Sequence, residues 1–95
     1  MTRLERELLT RIKARLDALD PGAAEKLAAL AEKEEIQVTL VGLCTDICVV
    51  SNALLIKAYL PEIQVRVKAD CCAGVTPASH EAALTTMKMC QIEVL

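Results

Sequence analysis

Hydrophobic positions in this chain repeat first with the period of a helix and then with that of a strand. Leu4, Leu8, Ile12, Leu16 and Leu19 fall on one stripe at helical spacing. Thr2 and Glu5 form a Thr-x-x-Glu capping pair at its start. Asp20-Pro21 then supplies an N-cap and a first-position proline for a second helix. That helix carries Leu27, Leu30 and Ala31 on its apolar side and runs to about Glu34. From Ile36 the period becomes two, with Ile36, Val38 and Leu40 alternating with Gln37 and Thr39. A helix that is apolar on most sides is expected from about Asp46 to Tyr59, ended by Pro61. Ile63, Val65, Val67 and Ala69 then alternate with Gln64, Arg66, Lys68 and Asp70 as a second strand. A loop from Cys71 to Val75 leads to Thr76-Pro77, an N-cap and first-turn signal for a helix over about 77–89. Gln91 to Leu95 gives a third strand, with Ile92 and Val94 set against Gln91 and Glu93.

A β-α-β-α-β order implies a three-stranded parallel sheet, and right-handed crossovers put both helices on one face. All three strands keep polar residues on the alternate positions, from Gln37 and Thr39 through Gln64, Arg66 and Lys68 to Gln91 and Glu93. Parallel strands covered on both faces read as continuous apolar runs. The alternation therefore predicts one dry face and one wet face. The expected fold is α/β, half of a Rossmann-like arrangement in two layers, preceded by an N-terminal helical hairpin whose first helix extends the helical layer. A three-layer alternative would lay the leucine stripe of that helix over Arg66 and Lys68, which opposes it.

Ninety-five residues suit one small domain with one core. Within it, residues 1–35 form the hairpin and 36–95 the half-domain. Composition changes at the boundary: 15 of the first 35 residues are charged against 9 of the remaining 60. The first part also lacks Val, Ser, Asn, Gln, His, Cys and aromatic residues. So narrow an alphabet of helix formers is what deliberate helix design produces, with a natural Ala/Glu/Lys-rich hairpin as the alternative. A net charge of −2 supplies no basic patch for nucleic acid. No apolar run approaches the roughly 18 residues of a membrane span. Five cysteines at irregular spacing argue against a disulfide framework and for a reducing cytosol. Neither they nor His80, the single histidine, give a zinc spacing, and no cofactor or metal site is expected.

Chemistry concentrates in Val41-Gly42-Leu43-Cys44-Thr45-Asp46-Ile47-Cys48-Val49. This stretch reads as a buried strand that stops at a glycine, turns, and opens a helix with Cys48 near its first turn. A thiol there faces the positive end of the helix dipole, a setting in which reactive cysteines occur. An inherited idle thiol and a packed core cysteine are the competing readings of Cys48. Asp46 reads as an N-cap or as a group that orients the loop. His80 reads as a packing or surface residue, with a Cys–His pair as the alternative. The side chains of Cys44, Cys71, Cys72 and Cys90 read as small apolar fillers.

The run Val38 to Val49, with Asn52-Ala53-Leu54, Asp70-Cys71-Cys72-Ala73-Gly74-Val75 and His80-Glu81-Ala82-Ala83-Leu84 in that order, resembles the C-terminal half of the isochorismatase-like cysteine hydrolases, the family that includes nicotinamidases. The resemblance covers about residues 36–95. It implies that Cys48 holds the nucleophile position and that the Leu43–Cys44 peptide is cis. It also implies that the backbone N–H groups of Cys44 and Cys48 form an oxyanion hole. The family's catalytic Asp and Lys come from its first half, for which the two-helix segment here has no matching motif. A thiol attacking an amide needs a group to take and return a proton, and losing one costs roughly 10²- to 10⁴-fold. The expectation is an engineered or truncated half-domain without efficient catalysis. The alternative is a weak thiol-dependent amidase or esterase using Cys48. In the family the strand corresponding to residues 36–42 is internal; as an edge it needs protection either by the N-terminal helices or by the same strand of a second copy, and a homodimer through that strand is one of these two alternatives.

Overall fold

The computed structural model describes residues 2–19, 21–33 and 35–95, apart from the side chains of Glu5, Leu16 and Leu19. The Thr2–Glu5 capping pair, the Asp20 cap and the end of the second helix at Glu34 therefore fall outside the described residues. Helix α1 spans Arg3–Leu19 and α2 spans Ala23–Lys33. Helix α2 starts two residues later than its proline suggests, because Pro21 and Gly22 form a turn, with Gly22 at φ +80°. The Ala24 N–H donates to Asp17 Oδ1 at 3.4 Å, so a carboxylate on α1 serves the start of α2. Lys13 Nζ reaches Glu25 Oε1 at 2.9 Å and Asp17 Oδ2 at 3.0 Å. Those two carboxylates, Glu25 above all, raise the Lys13 ammonium pKa, while Lys13 lowers that of Asp17.

Strands β1 (Gln37–Leu43), β2 (Gln64–Ala73) and β3 (Glu93–Val94) form a parallel sheet in the order β1-β2-β3. Helix α3 (Val50–Tyr59) crosses from β1 to β2, and α4 (Pro77–Met89) crosses from β2 to β3. Helix α1 extends the helical layer by packing on α3, which packs on α4. The other sheet face is wet, as the alternation predicts. Gln37 Nε2 donates to Gln64 Oε1 at 2.6 Å, and Gln64 Nε2 donates to Glu93 Oε2 at 2.6 Å. Arg66 closes the ladder, donating from Nη1 to Gln37 Oε1 at 2.9 Å with Nε 3.5 Å from Glu93 Oε2.

The core is aliphatic and small. Met87, Ile92, Val65 and Val67 are its largest fully buried apolar side chains, and Ala24 of α2 and Ala53 of α3 are fully buried as well. Its size limits what α1 can bury. Ile12 packs against it, whereas Leu4 and Leu8 remain 75% and 56% exposed, so the first turns of the leucine stripe overhang. On α2, Leu27 and Ala31 pack inward and Leu30 is left exposed.

Two segments differ from the sequence reading. The expected loop at Cys71 is strand: β2 continues to Ala73. Pairing runs from Leu40↔Val67 to Gly42↔Cys72, so four residues of β2 stand opposite the single Val41 of β1. The bulged part bonds to the chain end instead, with Leu95 N–H donating to the Val67 carbonyl at 2.8 Å and Ala69 N–H to the Leu95 carbonyl at 3.0 Å. Gln91, expected in β3, closes α4. It takes φ +64°, and Ile92 N–H bonds the Met87 carbonyl at 3.0 Å while Gln91 N–H bonds that of Lys88 at 3.2 Å, a Schellman closure. Among the described residues no helix is long and apolar enough to cross a membrane.

Candidate functional site at the end of β1

The sequence predicts a buried β1 that stops at Gly42; the strand is half exposed and ends one residue later at Leu43, and Gly42 has a φ of +123°, in a region L side chains rarely adopt. The Leu43–Cys44 peptide that follows is cis, as the resemblance implies. A π-type turn over Thr45–Val49 then runs into α3. Its N-cap is Cys44, extended at φ −96° and ψ 146°, with no side-chain cap bond. The Cys44 carbonyl accepts from the Ile47 and Val49 N–H groups, each at 3.1 Å. The Cys48 N–H lies in the first turn of this wide i→i+5 closure, one residue before the Val49 N–H that makes the bond.

Asp46 is thus not the N-cap; it lies two residues inside the turn. Its carboxylate accepts the Val75 N–H at 3.2 and 3.3 Å, tying the loop after β1 to the segment between β2 and α4. The nearby Ser79 hydroxyl first, then backbone N–H groups including that of Val75, hold the Asp46 carboxyl below its ordinary value against the opposing effect of burial.

A second tie was not anticipated. Thr45 is fully buried, and its hydroxyl meets His80 Nδ1 at 2.7 Å. His80 sits in the first turn of α4, where Thr76 and Ser79 form a reciprocal capping box: Ser79 N–H donates to Thr76 Oγ1 and Thr76 N–H to Ser79 Oγ, both at 3.1 Å. Gly74 allows the approach, because a Cβ there would stand 2.8 Å from His80 Cβ. The available signal was a lone histidine and a loop threonine 35 residues apart, which nothing in local spacing connects.

Cys48 itself is exposed, and Cys44 is half-buried. Among the described residues no hydrogen bond joins the Cys48 thiol to a titratable group. The reading of the other cysteines as apolar fillers fails for Cys71 and Cys90, which are exposed, whereas Cys72 packs against the core. Among the described residues no group of three or more His, Cys, Asp or Glu is placed to hold a metal ion. A groove of about 690 Å³ lies at the opposite end of the sheet, between Ala31, Ile36, Tyr59 and Ile63 at the starts of β1 and β2. It does not include Cys48.

An isochorismatase-domain family model matches residues 3–95. The chain belongs to the isochorismatase family. The matched span takes in the hairpin as well as the segment that carries the motifs. Among solved structures this isochorismatase-family chain is similar to a nicotinamidase from Staphylococcus aureus, at 38% identity and a TM-score of 0.57. That likeness covers 73% of this chain and 44% of the nicotinamidase, so the chain spans less than half the length of the enzyme it matches. A search of curated proteins found no match.

Proposed function

We propose that residues 36–95 are the nucleophile-bearing half of an isochorismatase-like cysteine hydrolase and that the 95-residue chain does not catalyse amide hydrolysis efficiently by itself. The observation that carries this reading is the state of the groups around Cys48. Asp46 is engaged with Val75 and His80 Nδ1 with Thr45, and no acid or base is bonded to the Cys48 thiol among the described residues. The thiol would attack with its oxyanion donors, the N–H groups of Cys44 and Cys48, but without a positioned proton acceptor. The test is ammonia release from nicotinamide, the substrate class suggested by the Staphylococcus aureus relative. The chain and its Cys48→Ala variant are expected to run at the same background rate. Turnover that depends on Cys48 would contradict the reading.

The exposure of Cys48 favours a second reading, weak thiol-dependent esterase activity. An activated ester carries its own good leaving group and needs less proton transfer. Equal rates of p-nitrophenyl ester hydrolysis by the parent and Cys48→Ala would remove it.

For residues 1–35, the change of composition after Glu35 supports an engineered hairpin, and the family match across residues 3–95 supports a native one. An engineered hairpin is expected to tolerate replacement by another Leu/Ala/Glu/Lys pattern of equal length. Loss of folding on that replacement would rule it out.

A further inference from the structure

The two edges of the sheet differ in character. The β3 edge is two residues long and carries Glu93, ion-paired to Arg66. The β1 edge is seven residues long and, from Gln37 to Leu43, contains no charge and no proline. It therefore lacks the charged side chains and the proline by which many natural sheets blunt an edge. Its outward alternate positions turn apolar toward the loop, with Val41 57% and Leu43 71% exposed. Helix α1 packs on α2 and on α3, the crossover helix between β1 and β2, which places it at the β1 end of the helical layer. The overhanging Leu4 and Leu8 therefore belong to the flank of the molecule that also carries the open strand.

The surface area has the same implication. The chain exposes 6242 Å². A compact monomer of 10.3 kDa exposes about 5,350 Å². The excess of about 900 Å² is close to the roughly 800 Å² that each partner buries in a standard interface.

We propose that the chain forms a closed two-fold homodimer in which β1 of one copy pairs antiparallel with β1 of the other. A two-fold axis normal to the sheet near Leu40 sets Gln37 opposite Leu43, Val38 opposite Gly42, Thr39 opposite Val41 and Leu40 opposite its own counterpart. Each pair joins positions of equal parity, so the dry faces continue across the seam and one helical layer covers a six-stranded sheet. Val41 and Leu43 gain cross-strand neighbours, and no edge of this length is left open. The pairing also sets Gln37 of one copy beside Leu43–Cys44 of the other, so each copy supplies a wall next to its partner's nucleophile loop. The self-complementary strand makes the interface isologous and closes it at two copies.

The test is sedimentation equilibrium of the full chain under reducing conditions, over a hundredfold range of concentration. The expected mass is twice 10.3 kDa at the upper end. The double variant Thr39→Lys with Val41→Lys, at two exposed positions that would face each other across the seam, is expected to be monomeric with an unchanged circular dichroism spectrum. Amide exchange over residues 37–43 in the parent provides a readout that needs no variant, and it is expected to slow as concentration rises. A monomer throughout, exchange independent of concentration, open-ended larger species, or a dimer that survives the two lysines with its fold intact would each overturn the proposal.

Discussion

The Thr45 hydroxyl is out of reach of water and lies 2.7 Å from His80 Nδ1, so a substitution there acts on a desolvated pair. Thr45→Val keeps the shape and leaves the half-buried imidazole nitrogen without its partner. The expected cost is about 1–3 kcal/mol in urea unfolding, and an unchanged midpoint would show that the tie contributes nothing. Asp46 is a different case because it titrates. Its folded pKa is depressed below the 3.8 of an unperturbed carboxyl, by the Ser79 hydroxyl first and by backbone N–H groups after it. A depressed carboxyl stabilises the fold in full above its unfolded value and loses that contribution as pH falls through its folded value. Asp46→Asn is therefore expected to be less stable than the parent at pH 7, with the difference closing below about pH 3.8. Urea midpoints at several pH values measure this, and a gap that persists into acid would contradict it.

At the scale of elements, the closure of α4 offers a gain in stability. Gln91 is a non-glycine residue at φ +64°, in the C′ position where glycine is favoured. Gln91→Gly is expected to raise stability by about 0.5–1 kcal/mol, since a left-handed L residue costs roughly 1–2 kcal/mol and glycine gives part of that back through chain entropy. A lower midpoint would mean that the Gln91 side chain holds something the turn does not show. The elements themselves were largely legible. The period-two runs from Ile36 and Ile63 gave β1 and the first part of β2, Thr76-Pro77 marked the start of α4, and the polar alternation predicted the wet face. The β2 bulge was not legible, because it depends on which residues of β1 and of the chain end stand opposite Lys68 to Cys71. The overhang of Leu4 and Leu8 was not legible either. A leucine stripe records what a helix can bury, and the size of the core decides how much of it is buried. At the site, the strand–glycine–cysteine pattern located the loop, whereas both its ties, Asp46 to Val75 and Thr45 to His80, join residues 29 and 35 positions apart and are matters of tertiary packing.

For the molecule as a whole, two features act together: the loop after β1 is held from two sides, and the Cys48 thiol on it has no bonded acid or base among the described residues. The loop is rigid because β1, α3 and the start of α4 converge on it, and Cys48 is open because the described residues place nothing over it. Such an arrangement favours attack over turnover. On the proposed reading the Cys48 thiolate would add to an activated carbonyl and expel a phenolate, and the acyl group would then wait for a water that no base has activated. Reaction of the chain with p-nitrophenyl acetate, followed by mass mapping of acyl groups on each cysteine, separates the two steps. The account predicts acylation at Cys48 ahead of the exposed Cys71 and Cys90, with p-nitrophenolate release falling to the Cys48→Ala rate after a single equivalent. Sustained Cys48-dependent turnover, or acylation of Cys48 no faster than of Cys71 and Cys90, would contradict it.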